Sequence, residues 1–564
     1  MTPIGGKSGD NVTRDPRVVN EVPRRGDAHH SGKRHLVKAA AVVALMTLVG
    51  RILGLIRDIV SAKSFGTNWQ YDAFLYAFML PNLFRRVVGE GGLTSAFIPV
   101  YNDIREKKDS AEAFRFANIT ISFLSVALFA FILAIEGVLH ILLKIGFQSQ
   151  TVMLTLQLSR ILFPYLWFLS LYAMGMGILN SHRHFLAPAM GPAILDLVWI
   201  VAVLWVPSGM AHDYFGKISW LSYVILLGGF LHVAVELPPL RKIGFKFKWI
   251  WDTGYEGLRK TGTLLLPVVL SFAVVQINIS VDMTLGMMIG PGANSSLWYG
   301  NRLMQFPLGI FALAMGTALL PMLAQQIARG EEEASRKTLS FALRSIFFII
   351  IPSSVGLIVL REPIIRMLFE RGAFNAVSTA RSSAVLLGYT IGLFAFAGQK
   401  IMNSGFYAAH DSKTPMRTAI FSLLSNIVLS VILMIPFKEA GLALGTSISG
   451  IIQLGQLIYY YPKKVGPFPF REIAMSFLRI LLASLVMGVV GYYSLMAFHH
   501  WLPGAGAKVQ LIQVFGSIIL ATVSYLTLCY VCHVPEAREA WEWFRKKRKP
   551  APDPVEMEKL IDGA

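Results

Sequence analysis

The apolar residues of this chain fall into long, unbroken blocks separated by short polar loops. The blocks do not alternate apolar with polar, so the two-residue period of a lipid-facing β-strand is absent. Most are about 20 residues or longer, the length at which an α-helix spans a hydrocarbon layer of ~30 Å. Fourteen helices are predicted, over 36–62, 72–102, 114–143, 152–180, 186–206, 218–238, 259–289, 296–327, 338–360, 382–408, 416–436, 438–461, 472–497 and 509–532. The narrowest break is "PFKEAG", where Pro436, two charges and Gly441 supply a turn. The pattern predicts an all-α polytopic membrane protein.

Composition agrees, and charge adds an orientation. Of 564 residues, 54% are hydrophobic and 15% charged, and the mean hydropathy is +0.55, too apolar for a soluble domain. A net charge of +19 would suggest nucleic acid in a soluble protein. Here the basic residues collect in alternate loops: the N-terminal tail, "REKK", "SHRH", "RKIGFKFK", "SRK", "SKTPMR", "PKK" and "FRKKRK". The positive-inside rule makes those loops cytoplasmic, and an even number of helices leaves both termini inside. Residues 1–35 read as a disordered cytoplasmic tail. The apolar run after them continues to about Ala62, too long for the core of a signal peptide, so it reads as a retained first helix. Two cysteines do not make a disulfide framework. They lie in "CYVCH", which matches a haem-attachment spacing but sits at the edge of the last apolar block on the cytoplasmic side, and reads as coincidence.

The helices repeat. The second ends "GLTSAFIPVYNDI" and the eighth "AMGTALLPMLAQQI"; the fourth leads into "LNSHRHFLAPAM" and the tenth into "YAAHDSKTPMRT". Pro99 and Pro321 lie 222 residues apart, Pro188 and Pro415 227 apart. One displacement spans six helices, an even number, so both halves share one orientation, and parallel repeats with a site between them are a transporter design. The expected organisation is a first lobe over 36–240, a second over 241–462, two helices outside the repeat over 463–535 and a cytoplasmic C-terminal tail over 536–564.

One segment breaks the apolar rule. "GRILGLIRDIV", residues 50–60, puts Arg51, Arg57 and Asp58 in the first helix. A charge at the bilayer centre costs at least ~2.5–3.5 kcal/mol. Arg51 and Asp58 are seven apart and share a face, and Gly50 and Gly54 suit a close helix contact. The second helix, "YDAFLYAFMLPNLFRRVVGEGG", adds Asp72, then Asn82, Arg86 and Glu90 at intervals of four, with Arg85 beside them and a kink expected at Pro81. The eighth opens "LWYGNRLMQFP" and contributes Arg302. Internal pairing, of Arg57 with Asp58 or Asp72 and of Arg86 with Glu90, is the plainer reading. It leaves five arginines against three carboxylates. Surplus arginine at membrane depth must face a water-filled cavity, and its planar fork suits phosphate. The expectation is a central hydrated cavity for an anionic, phosphorylated substrate.

The seventh helix carries Gln276, Asn278, Ser280 and Asp282, and Asn426 and Thr446 interrupt the eleventh and twelfth. Asp282, Asn426 and Thr446 are a candidate site of hard oxygen ligands for Na+, beside the simpler reading of hydrogen bonds between helices. The chain has no Walker A loop, so ATP hydrolysis is not expected of it. The histidines of "SHRH" and "HDSK" read as interfacial rather than as metal ligands.

The stretches "GRILGLIRD", "DAFLYAFMLPNLFRRVVGEGGLTSAFIPVY", "NRLMQFPLGIFALAMGTALLP", "FERGAF" and "DSKTPMRTAI" resemble the MurJ (MviN) family, the lipid II flippases of bacterial peptidoglycan synthesis, over residues 36–535. The resemblance implies the fold of the multidrug/oligosaccharidyl-lipid/polysaccharide exporter superfamily: two six-helix lobes around a V-shaped cavity, plus two C-terminal helices that form a lipid-tail groove. It implies substrate contacts from Arg51, Arg57, Arg85, Arg302 and Asn82, and structural or gating ion pairs among Asp58, Asp72, Arg86 and Glu90. Many members have an acidic residue three positions after the arginine of the eighth helix, where this chain has Gln305. Some bind sodium in the second lobe; one turn after Asn426 this chain has Ser430 instead of an aspartate.

The activity then expected is that of a transporter, not an enzyme: alternating-access movement of the undecaprenyl-pyrophosphate-linked precursor lipid II across the bacterial inner membrane. The expected partners are lipid II, membrane lipids and cell-wall synthesis proteins, with no nucleic acid. Two alternatives stay open. One is export of another polyprenyl-linked glycan. The other is a membrane glycosyltransferase or ligase acting on the same lipid, for which the long outer loop offers only Glu362 and Glu370.

Overall fold

The computed structural model describes residues 25–84, 94–211, 213–504 and 506–538. All regular elements among them are helical. In chain order they are α1 (Arg25–Phe65), α2 (Trp69–Phe84), α3 (Thr94–Lys107), α4 (Ser110–Ile145), α5 (Gln150–Leu162), α6 (Tyr165–Ser181), α7 (Leu186–Leu204), α8 (Tyr214–Lys242), α9 (Glu256–Ile289), α10 (Ala293–Pro307), α11 (Leu313–Ala328), α12 (Glu332–Phe369), α13 (Ala376–Ile391), α14 (Leu393–Ala408), α15 (Lys413–Lys464), α16 (Phe470–Trp501) and α17 (Ala507–Val531). Nine spans among the described residues are long and apolar enough to cross a membrane, or ten if the bent pair α5–α6 is one span. The protein is thus an all-α polytopic membrane protein.

Several predicted helices are broken, each for a local reason. The helix expected over 152–180 bends by 41° between α5 and α6, where Pro164 has no N–H to continue the ladder. The one expected over 296–327 passes Pro307 through a π turn, Leu308–Ala312, that joins α10 to α11. Such a turn shifts the regular hydrogen-bond pattern and is common where a helix carries function. Within α15, Lys438 leaves the helical region at φ 51 and ψ −133. The chain reverses there. Gly441 packs so closely on the Leu433 carbonyl that a Cβ would come within 2.1 Å of it, and Ser422 donates to the Ser449 carbonyl at 3.1 Å. This hairpin is the turn anticipated at "PFKEAG".

The α4 helix shows which medium surrounds the fold. Only 11% of its most apolar stretch is buried inside the protein; Phe129, Leu133, Val138 and Ile141 all point outward. A surface this apolar is stable against lipid, not water.

Helices α1–α8 pack mainly on one another: α1 on α7, α2 on α5, and α6 and α7 on α8. Helices α9–α15 do likewise, with α10 on α13, α12 on α13 and α14, and α9, α13 and α14 on α15. The last two, α16 and α17, pair with each other and lie on α12. Their attachment has a polar pin: the buried Glu536 carboxylate accepts from Ser476 at 2.9 Å and pairs with Arg344 at 3.1 Å. In the first set, Phe74 and Phe78 meet Trp199 edge-on, with ring centres 5.2 and 5.3 Å away. This fixes Trp199 as a wall behind the charged residues of α1.

Candidate functional site

Arg57 and Asp58 are consecutive on α1, and both are buried. The Arg57 guanidinium donates to Asp58 Oδ1 through Nε at 3.0 Å and Nη2 at 2.8 Å. Through Nη1 it donates to Asp196 Oδ1 of α7 at 2.9 Å. Its plane lies against two indoles, 4.8 Å from the Trp199 ring centre and 5.6 Å from that of Trp298. The Trp298 Nε1–H reaches Asp58 Oδ1 at 3.3 Å. On its other oxygen Asp58 pairs with Arg302 Nε of α10 at 2.8 Å. A chain of alternating charge, Asp196–Arg57–Asp58–Arg302, therefore crosses α7, α1 and α10. A buried charge needs this number of partners to survive desolvation.

Two glycines make room for it. A Cβ on Gly54 would lie 1.9 Å from Arg302 Nη2, and one on Gly309 would lie 2.1 Å from Arg51 Nη1. Arg51 has no carboxylate within ion-pair distance among the described residues; its Nη2 donates to the Gly309 carbonyl at 3.1 Å, inside the π turn. The two cross-helix seats are reciprocal: the arginine of α10 rests on a glycine of α1, and the arginine of α1 on the glycine that follows α10.

Arg51 and Arg302, with Gln305, stand at one end of a cavity of about 620 Å³. The rest of its wall is mostly apolar; Leu55, Leu303, Phe306 and Phe311 contribute to it, and the larger part comes from α12, α16 and α17, including Phe348, Leu360, Met487, Phe515 and Tyr525. A cationic mouth on a greasy groove suits an amphiphile with an anionic head.

The expected residues are only partly gathered here. Arg51 and Arg302 line this cavity, and Asp58 lies behind it as the ion-pair partner of Arg302. Arg57 differs from expectation: it is 7% exposed, saturated by two carboxylates, and does not line this cavity. Asp72 stands apart and pairs with no arginine among the described residues. It accepts instead from the backbone N–H of Gly292 at 2.5 Å and of Ser295 at 2.7 Å, capping α10, which has no side-chain cap of its own. A carboxylate at a helix N-terminus is favoured by the unpaired N–H groups and the helix dipole. Asn82 is half-buried near the end of α2 and lies outside the cavity wall. Arg85, Arg86 and Glu90 lie outside the described residues.

Asp196 was missed. A lone aspartate in "GPAILDLVWIV" is the same signal that singled out Asp58, an ionisable group in an apolar run. The arginine surplus survives in reduced form: three guanidinium groups, Arg51, Arg57 and Arg302, against Asp58 and Asp196.

Contacts between α1–α8 and α9–α15 lie at two ends, the first of them where α1 stops. There Ala373 N–H donates to the Lys63 carbonyl at 2.9 Å, Thr67 and Ser378 hydroxyls meet at 2.7 Å, and Asp72 caps α10. At the opposite end the start of α9 leans on α3 and α4, with Lys260 3.5 Å from Asp103 and the Tyr255 hydroxyl donating to Glu112 at 2.9 Å.

The second candidate cluster also assembles. Thr446 Oγ1 lies 3.2 Å from Asp282 Oδ2 and 3.0 Å from the Asn426 amide. The end of that amide facing away from Thr446 is 3.2 Å from Asp282 Oδ1 and 3.1 Å from Asn278 Oδ1. With nitrogen at that end it donates to both oxygens, and the cluster is satisfied by hydrogen bonds alone. With oxygen there, three oxygens confront one another, an arrangement only a cation compensates.

An all-helical membrane protein with charged residues held between two packed sets of helices has an architecture that membrane transporters use. A multidrug resistance MATE family transporter of the MOP superfamily, inward-facing, superposes with a TM-score of 0.60 at 15% identity over 77% of this chain and 98% of that one, a likeness of fold. The chain belongs to the lipid II flippase MurJ family, whose model matches residues 61–511. A solved lipid II flippase MurJ in an inward closed conformation is 29% identical, with a TM-score of 0.72, over 87% of this chain and 99% of that one. Among curated relatives, probable lipid II flippases of Haemophilus influenzae and Vibrio cholerae are each 30% identical, over 81% and 88% of this chain and 92% and 96% of their own lengths.

Proposed function

We propose that the chain carries lipid II from the inner to the outer leaflet of the bacterial cytoplasmic membrane by alternating access. Family membership supplies the substrate, and one observation carries the site: two arginines, one with no carboxylate in ion-pair reach among the described residues, at an apolar groove. In this reading both termini are cytoplasmic and fourteen helices cross the membrane. A tail over 1–35 precedes a lobe over 36–240; a second lobe covers 241–462, a lipid-tail groove 463–535 and a cytoplasmic tail 536–564. The end where α1 stops is then the outer face, and its cross-links are a closed outer gate.

The pyrophosphate and sugar headgroup enters from the cytoplasm and meets Arg51 and Arg302, with Arg85 and Asn82 further contacts. The undecaprenyl chain lies in the groove beside α16 and α17. Rocking of the lobes breaks the Asp58–Arg302 and Asp72–α10 links, frees Arg57 toward the headgroup and opens the outer face. Arg86 and Glu90 belong to the pairs that hold the alternate state. Na+ fits the oxygens of Asn278, Asp282, Asn426 and Thr446; bound there it supplies the charge that offsets Asp282 and ties α9 to the α15 hairpin.

Depletion of the protein in its host, with lipid II exposure on the outer leaflet measured, tests the assignment; unchanged exposure with no second flippase present refutes it. Arg302→Ala and Arg57→Ala are expected to abolish transport while the protein still reaches the membrane. Full complementation by either removes that residue from the site.

A further inference from the structure

Asp196 belongs neither to the expected phosphate-binding set nor to the expected gate pairs, yet it closes the ion-pair chain. Its side chain is 10% exposed and its carboxylate holds Arg57 Nη1 at 2.9 Å. Trp199, one turn further along α7, covers the same guanidinium. Because α1 and α7 pack along each other, Asp196, Arg57 and Asp58 form one body. That body has two carboxylates and one guanidinium, a net charge of −1. Its opposite number is Arg302, which comes from the other set of helices and is 31% exposed at the side chain. In the closed gate the surplus negative charge of the triad is met by Arg302.

The geometry points to Asp196 as the residue that sets this charge, and so decides how strongly Arg302 is held by the triad rather than by an incoming diphosphate. The inference rests on the lipid II reading for its ligand. Asp196 acts through Arg57 and is a positioning residue.

A pyrophosphate and the triad compete for the same guanidinium. With Asp196 charged, Arg51, Arg302 and the triad sum to +1. That is enough to attract the headgroup, and the triad is negative enough to take Arg302 back once the headgroup leaves. With Asp196 neutral the triad sums to zero. Arg302 then faces an Asp58 already compensated by Arg57, and the cluster rises to +2. In a water-poor setting that single charge acts at short range and is weakly screened. The gate closes less firmly, and the diphosphate is bound more tightly and released more slowly.

The test uses the full-length protein with Cys529→Ser and Cys532→Ser. Thr67→Cys and Ser378→Cys report gate closure, since the native hydroxyls are 2.7 Å apart. Cross-link yield, affinity for lipid II and for undecaprenyl pyrophosphate in detergent micelles, and flipping rate in vesicles are measured for Asp196→Asn, Asp196→Glu and the pair Asp196→Asn/Arg57→Gln. Asp196→Asn is expected to lower the cross-link yield and tighten binding several-fold while slowing flipping. Asp196→Glu should behave as wild type. The double variant returns the triad to −1 through Asp58 alone, so its cross-link yield should recover.

Loss of binding and flipping together, with cross-linking unchanged, means that Asp196 serves packing only and overturns the proposal. A double variant that cross-links no better than Asp196→Asn overturns it too. If the wild type binds neither lipid while cross-linking still follows triad charge, the lipid II reading fails and the charge-setting role stands.

Discussion

Gly54→Ala adds one methyl group and removes no charge, yet it should cripple the gate. The added Cβ would stand 1.9 Å from Arg302 Nη2 and 3.1 Å from Asp196 Oδ2. Ordinary contact with carbon is about 3.5 Å, so the Arg302 guanidinium must retreat by roughly 1.5 Å. It can, because it is the far end of a flexible side chain. The retreat carries Nε from 2.8 Å of Asp58 Oδ2 to beyond ion-pair reach. The contact is an ion pair and not a hydrogen bond, and no hydrogen-bond donor reaches that buried oxygen among the described residues. Separating these opposite charges by that distance, at an effective dielectric of about 20, costs about 2 kcal/mol, and this falls on the closed gate alone, where α1 and α10 meet. The closed population should therefore drop about 30-fold relative to the open one. Alanine is the better helix former by up to ~1 kcal/mol, a gain common to both states. The signature is thus a thermal midpoint unchanged or raised, with Thr67→Cys/Ser378→Cys cross-linking and lipid II flipping both reduced. Wild-type flipping by Gly54→Ala would falsify the glycine seat.

Other expectations follow from single contacts. Asp72→Ala strips two N–H acceptors from the start of α10 and should destabilise the closed gate by about 1–2 kcal/mol, read as reduced cross-linking at unchanged membrane insertion. Gly309→Ala drives Arg51 off the π turn and should weaken undecaprenyl pyrophosphate binding in a titration while sparing the thermal midpoint. Asp411, in the turn before α15, is partly buried, which raises its carboxyl. Bonds from the Thr414 hydroxyl and from the Thr414 and Lys413 N–H groups outweigh this and hold it below the usual range. Its contribution is therefore complete above about pH 4 and is lost as pH falls through the lowered value. Asp411→Ala should cost about 1 kcal/mol near neutrality and flatten that acid loss in thermal melts. Glu536→Gln unpairs Arg344 and should loosen α16 and α17 from α12, measured as faster hydrogen exchange in those two helices.

The charges of α1 were legible because nothing else in an apolar run explains an arginine. The same rule covers Asp196, a lone carboxylate in an apolar run, so its signal is present in the sequence as well. The partner of Asp72 was a different matter. It is a pair of backbone N–H groups some 220 residues away, and backbone donors leave no mark in residue identity. The reversal at Lys438 could be read because proline, charge and glycine cluster there. The π turn after Pro307 could not, since a proline announces a disturbance without saying which. Arg57 is buried and does not face water because α7 brings a second carboxylate, which the residues of α1, α2 and the eighth predicted helix do not reveal.

The last two helices rest on α12, in the half of the molecule that also supplies Arg302. In the proposed transport cycle the tail therefore shares a frame of reference with Arg302, while Arg51 travels with the other half and hands its share of the headgroup across. A lipid some tens of ångströms long need not be dragged through the protein; its polar end is handed across while its anchor keeps its seat.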